Sequence, residues 1–93
     1  MYRVIVLYEQ APDADSYAEH AELCRQVPGS VFRHGEVTGV PMGEPEHAYY
    51  AEWEFADENA FKTAIRSDEF MATGKDAYKR GYPMPHVEFV SLS

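Results

Sequence analysis

Acid–base or nucleophilic work in this chain falls to four histidines, one cysteine and a set of tyrosines spread over 93 residues. His20 stands out. It lies in "YAEHAELCRQVPG", residues 17–29, which reads as a helix stopped by Pro28-Gly29. On a helical wheel Tyr17, Ala21 and Cys24 share one face, with His20 and Val27 along its edge. Burial disfavours a charged imidazole. A neutral imidazole beside a pocket is a general base or a hydrogen-bond partner. The competing reading is a core histidine held by one or two hydrogen bonds. Cys24 sits one turn beyond His20. A cysteine beside a histidine can be an activated nucleophile, but on an apolar stripe it reads first as a small buried residue.

The other candidates are weaker. His34 lies mid-strand on a face with Phe32 and Glu36 and is a candidate for lining a site or an interface. His47 and His86 open strands and read as exposed. Tyr8, Tyr49, Tyr50 and Trp53 form an aromatic set. Most of it reads as core, with one or two members lining an apolar pocket where a phenol could orient a ligand. The candidate catalytic residues are therefore His20 and Tyr8, and the candidate substrate-binding residues are Tyr17, Tyr49, Trp53 and His34. No two histidines are spaced as His-x-His or His-x-x-x-His, and the acidic residues look like solvated helix faces, so no metal site is expected. One cysteine forms neither an internal disulfide nor a thiolate cluster. There is no Gly-rich phosphate loop and no dinucleotide fingerprint, so no cofactor is called for.

Charge narrows the partners. The formal net charge is -8, and such a surface repels phosphate backbones and anionic membranes. Nucleic acid and membrane are set aside as partners. No apolar run approaches the 18 or so residues of a spanning helix. "MYRVIVLYEQ" lacks the pattern of a signal peptide, so a cytoplasmic setting is expected. The hydrophobic content of 45% supports a folded core in a single domain spanning residues 1–93.

The elements that position these residues follow from periodicity. "YRVIVLYE" (2–9) reads as a strand apolar on both faces. "QAPDAD" is a turn, with Asp13, Asp15 or Ser16 available to cap a helix over roughly 14–26. "SVFRHGEVTGV" (30–40) reads as a strand with a bulge or a close-approach point at Gly35. "HAYYAEWEF" (47–55) alternates: His47, Tyr49, Ala51, Trp53 and Phe55 share one face, and Tyr50, Glu52 and Glu54 the other. Asp57 caps a second helix with Ala60, Phe61, Ala64 and Ile65 inward. Ser67 restarts a helix or turn whose face carries Phe70, Met71, Gly74, Ala77 and Tyr78. "HVEFVSLS" is the last strand. The order βαββαβ predicts an α+β, ferredoxin-like fold: a four-stranded antiparallel sheet with its helices on one face. Nothing in the chain is left to cover the other face. A second copy is the simplest cover, so two sheets forming a dimeric α/β barrel, a homodimer, are expected.

These residues resemble the EthD-like family of the dimeric α/β-barrel superfamily over nearly the whole chain. The resemblance is carried by the strand ending in Tyr8 with "APD" after it, by His20, Leu23 and Pro28-Gly29 at the family's spacing, and by "WEFADENAFKTAIRSDEFMATGKD", where Ser67 and Asp76 match. Two positions depart from the pattern. The family usually has an aromatic four before the histidine, where this chain has Ser16 and carries Tyr17 three before. The aromatic a few residues after the aspartate is matched, one or two places off, by Tyr78. The resemblance implies a small protein with a partly apolar pocket between helices and sheet, acting on a small organic, phenolic or carbonyl-bearing molecule. Similar folds include polyketide cyclases, metal-free quinone-forming monooxygenases, haem-degrading monooxygenases and chlorite dismutases, so acid–base or cofactor-free oxidative chemistry is the implied activity. Non-catalytic binding and an auxiliary structural dimer are the alternatives. Fold alone does not choose among them.

Overall fold

The computed structural model describes all residues 1–93. The elements run β1 (Tyr2–Tyr8), α1 (Ala14–Cys24), β2 (Ser30–Glu36), β3 (Tyr49–Phe55), α2 (Glu58–Ile65), α3 (Asp68–Lys79) and β4 (His86–Ser91). The expected ferredoxin-like order is present, with the segment after Ser67 forming a full third helix. The strands make one sheet in the order β2-β3-β1-β4, and every neighbouring pair is antiparallel.

Helix starts are set by side chains that accept orphan backbone N–H groups. Asp13, of the three residues considered, caps α1 by accepting from the Ser16 N–H at 2.9 Å. Asp57 caps α2 through the Ala60 N–H at 2.8 Å, and Ser67 caps α3 through the Phe70 N–H at 3.1 Å. α1 ends at Cys24, short of the expected 26, and a turn follows. Gly29 then takes φ +69° to swing the chain into β2, a conformation that a side chain would strain.

Three sequence readings are corrected. β2 stops at Glu36, and residues 37–48 form a long connection to β3. Gly35 is no bulge: it pairs in unbroken register with Tyr50. The inward face of α3 is corrected at one position: Phe70, Met71, Gly74 and Ala77 face the sheet as expected and buried Thr73 joins them, whereas Tyr78 is 87% exposed.

Alternation divides the sheet cleanly. Val4, Val6 and Tyr8 of β1 and Ala51, Trp53 and Phe55 of β3 are buried under the helices. Arg3, Ile5 and Leu7 face the other way, as do Tyr50, Glu52 and Glu54. This second face is left uncovered by the helices, as expected, and its centre is an ion-pair cluster. Arg3 donates to Glu54 at 3.1 Å and Arg33 to Glu52 at 2.5 Å. The Tyr50 hydroxyl donates to Glu52 at 2.6 Å. Burial, then that hydrogen bond, pushes the Tyr50 phenol up to about 12. Hydrogen bonds from Arg3 and Arg33 hold the Glu54 carboxyl below its ordinary value. Periodicity could not show the cluster, because each strand supplies only one or two of its charges.

Candidate active site

A cavity of about 330 Å³ lies between the helices and the sheet. Its floor is Val4, Val6, Ala51 and Trp53, its roof comes from α3, and Val87 of β4 lies at its edge. Its open side runs between α3 and β4, where Met71 and Val87 are half-exposed. No lysine, arginine, aspartate or glutamate lines it. A largely apolar concavity with a few convergent polar groups is the usual form of a small-molecule site.

His20 is the one histidine in its wall, and it is 3% exposed. Its Nδ1 lies 2.8 Å from Oδ2 of Asp76 on α3. The same oxygen accepts from Arg80 Nε at 2.7 Å, one helical turn further on. Burial alone would raise the Asp76 carboxyl, but the hydrogen bonds from His20 and Arg80 outweigh it and hold the group below its ordinary value. An ionised carboxylate only accepts hydrogen bonds, so Nδ1 carries the proton and donates it. That leaves Nε2, with its lone pair, as the ring atom available to the cavity. A carboxylate-held imidazole of this kind is oriented and fixed in one tautomer, as a general base requires.

The surroundings fix the ring further. Tyr82, from the turn after α3, packs edge-on against His20 at 5.5 Å between centroids and stacks on Tyr17 at 5.9 Å. Its hydroxyl lies 2.7 Å from Ser16 Oγ. Arg80 Nη1 donates to the Ser16 carbonyl at 3.1 Å and to Glu19 at 3.2 Å. An aromatic beside His20 thus comes from Tyr82, in a distant part of the chain, and Ser16 is its hydrogen-bond partner. Tyr78 does not fill the other family position: it points into solvent.

The remaining candidates divide. Tyr8, Tyr17 and Trp53 line the cavity with His20. Burial raises the Tyr17 phenol far above 10.0, and the neighbouring Tyr8 adds to it. Burial also raises Tyr8, with Tyr17 partly offsetting the rise. Both stay protonated; Tyr17 donates to Tyr8, which leaves the Tyr8 hydroxyl as the free donor. Trp53 is a wall without a free polar group, because its Nε1 donates to the Cys24 carbonyl at 2.8 Å. Tyr49 and His34 are not in the lining. They form a pair of their own, with the Tyr49 hydroxyl 2.6 Å from His34 Nδ1. Both rings sit 5.1 Å from Tyr17 and buttress it from behind. Burial, then Arg25, lowers the His34 pKa.

Cys24 is buried, and burial, then the nearby Asp76 charge, pushes its thiol up to about 12. A thiol so raised is not a nucleophile at neutral pH. His47 and His86 stack on each other at 6.2 Å, and neither lines the His20 cavity. No three His, Cys, Asp or Glu side chains converge in an arrangement that would hold a metal ion.

Sequence reasoning missed Arg80, Tyr82 and Thr73, and reached Asp76 only through family spacing. Asp76 and Arg80 stand four apart on one helix, a pairing readable from sequence. Nothing local ties Tyr82 to Ser16.

The fold and site define a class: small ferredoxin-like proteins with a histidine-bearing cavity under the helices. No family model and no curated protein sequence matches the chain. Among solved structures, an ethyl tert-butyl ether d (EthD) family protein from Bacillus halodurans is 32% identical, with a TM-score of 0.80, covering 100% of this chain and 99% of its own. The chain belongs to the EthD family. A dimeric ferredoxin-like protein of unknown function from Jannaschia sp. is 17% identical with a TM-score of 0.70, covering 98% of this chain and 97% of its own. SnoaB, a cofactor-independent oxygenase from Streptomyces nogalater, is 18% identical with a TM-score of 0.58, covering 98% of this chain and 89% of its own. The last two share the fold. No helix of the chain is long and apolar enough to cross a membrane.

Proposed function

We propose that the chain binds a small, largely apolar organic molecule bearing a phenol or carbonyl in the cavity, and acts on it by acid–base chemistry at Nε2 of His20. Asp76 holds the imidazole, and Tyr8, backed by Tyr17, orients the ligand. The observation that carries this reading is a carboxylate-held histidine set in the wall of an uncharged, apolar cavity of about 330 Å³. Removing a proton from a phenol or an enolisable carbonyl gives an electron-rich anion. Dioxygen oxidises such anions, so the same base would also serve a cofactor-free oxidation.

The test is a pair of substitutions, His20→Ala and His20→Gln, read for ligand binding, turnover and thermal stability. Binding or turnover should fall at least about tenfold, while the melting temperature holds or rises, because sites often trade stability for function. A large drop in melting temperature with ligand binding intact would make His20 a core residue instead. Binding without any turnover in the parent chain would reduce the role to that of a binding module.

The same face logic supports a homodimer. The open sheet face carries a charge-balanced cluster, two arginines against two glutamates, beside half-buried Ile5 and Leu7 and exposed Val31. An internally paired, neutral polar centre of this kind suits burial against a second copy. The Jannaschia neighbour is itself described as dimeric. Sedimentation should give a mass near twice 10.6 kDa, and a mass near one chain would refute the pairing.

A further inference from the structure

We infer that the cavity takes its ligand as a neutral O–H acid, a phenol or enol, whose hydroxyl donates to Nε2 of His20, and that it discriminates against carboxylates of the same shape. This rests on the reading that the cavity is the ligand site, and goes beyond it by naming the charge state in which the ligand enters and the ligands that the site rejects.

Three observations lead there. First, no cation faces the cavity. Arg80, the cation beside His20, gives Nε to Asp76 and Nη1 to Ser16 and Glu19. The lining itself contains no lysine or arginine. A carboxylate entering this space would be desolvated with no counter-charge, which is costly. It would also approach an ionised Asp76, in a chain of formal net charge -8.

Second, the free ring atom is an acceptor. With Nδ1–H committed to Asp76, Nε2 offers a lone pair. A carboxylate brings an acceptor to an acceptor, whereas a hydroxyl brings the donor that the site lacks.

Third, the other polar groups complement an oxygen that is losing its proton. Tyr8 and Tyr17 line the same cavity and are held protonated by burial. Thr73 Oγ1 and Trp53 Nε1 are spent on backbone carbonyls at 2.6 and 2.8 Å, and the Tyr17 hydroxyl donates to Tyr8. The Tyr8 phenol, backed by Tyr17, is therefore the donor left for the ligand oxygen.

The proton step balances. The ligand O–H bond breaks, and its proton forms a bond to Nε2. The imidazolium that results keeps its Nδ1–H on Asp76, and the ligand oxygen keeps the electron pair as an oxyanion facing the Tyr8 phenol. Asp76 is a positioning residue in this scheme: it touches His20 and not the ligand.

The experiment uses three matched probes, 2-naphthol, 2-naphthoate and naphthalene, titrated against the full chain by fluorescence. The parent chain should bind 2-naphthol about tenfold or more tighter than either of the others. Asp76→Asn should erase most of that preference, and the absorbance of bound 2-naphthol should lose its naphtholate component. A merely structural Asp76 would not move those two readouts. His20→Gln should bring 2-naphthol to the affinity of naphthalene. If 2-naphthoate binds as tightly as 2-naphthol, the charge-state inference is overturned and the cavity reading stands. If none of the three probes binds, the cavity reading fails, and this inference with it.

Discussion

The two faces of the sheet solve opposite problems with neighbouring residues of the same strands. Under the helices β1 and β3 supply only apolar and aromatic side chains, and the polar centre arrives from elsewhere: His20 from α1, Asp76 from α3 and Arg80 from its C-cap. On the open face the strands carry their own charges, and Arg3, Arg33, Glu52 and Glu54 pair with one another without help from any helix, with Arg3 Nε alone left buried and unpartnered. A charge brought in by a helix can be aimed at a cavity and left with one valence open. A cluster within the sheet spends its charges on its own members. The proposed reactivity belongs to the first arrangement and the proposed assembly to the second.

Several measurements can break or sharpen that contrast. The largest effect is expected at Trp53, which floors the cavity and is buried. Trp53→Ala should cost about 3–5 kcal/mol in urea-induced unfolding. A cost below about 1 kcal/mol would mean that the helix-covered face is not packed as described. Next comes Glu52, whose side chain is 8% exposed and takes bonds from Arg33 and Tyr50. Glu52→Ala should cost about 2 kcal/mol, since it leaves charged donors without their acceptor. Sedimentation should also show the chain shifting toward monomer. An unchanged mass would separate the cluster from assembly.

A smaller effect is expected on acidification. Asp76 sits below its ordinary 3.8 in the folded chain, so the unfolded chain binds the proton more readily. The resulting stabilisation is complete above about pH 4 and is lost as the pH falls through the depressed folded value. In acid titrations of melting temperature, Asp76→Asn should flatten this part of the curve. An identical curve in the variant would place the acid sensitivity in other carboxylates. The smallest effect is expected at the exposed Arg25–Glu22 pair on α1, although its contact is 2.6 Å. Glu22→Ala should change stability by less than about 0.5 kcal/mol. A larger loss would show that exposed pairs in this chain count for more than solvent screening allows.

Much of the fold was legible because its signals are local. Asp57 and Ser67 announce helices by type and position. The alternation of "YYAEWEF" assigns Ala51, Trp53 and Phe55 to one face and Glu52 and Glu54 to the other without ambiguity. Illegible features were those made by pairs distant in sequence. The cluster on the open face was hidden because Arg3 and Arg33 meet their glutamates only once the register of β1, β2 and β3 is fixed. His20 was identifiable from its place on an apolar stripe, but its orientation depends on α3. Tyr49 and His34 had the right residue types for a site, yet they lie one layer behind Tyr17. Pattern assigns a side chain to a face of the sheet and does not say how far along that face the cavity reaches.

The bond between Ser16 and Tyr82 spans 66 positions of the chain, and that between His20 and Asp76 spans 56. Contacts so far apart close late, because the loop entropy between them is lost before they contribute anything. The imidazole therefore acquires its carboxylate only when the chain is nearly folded. Partly folded or nascent molecules hold a histidine that is present and unaimed, so competence at this site coincides with completion of the fold.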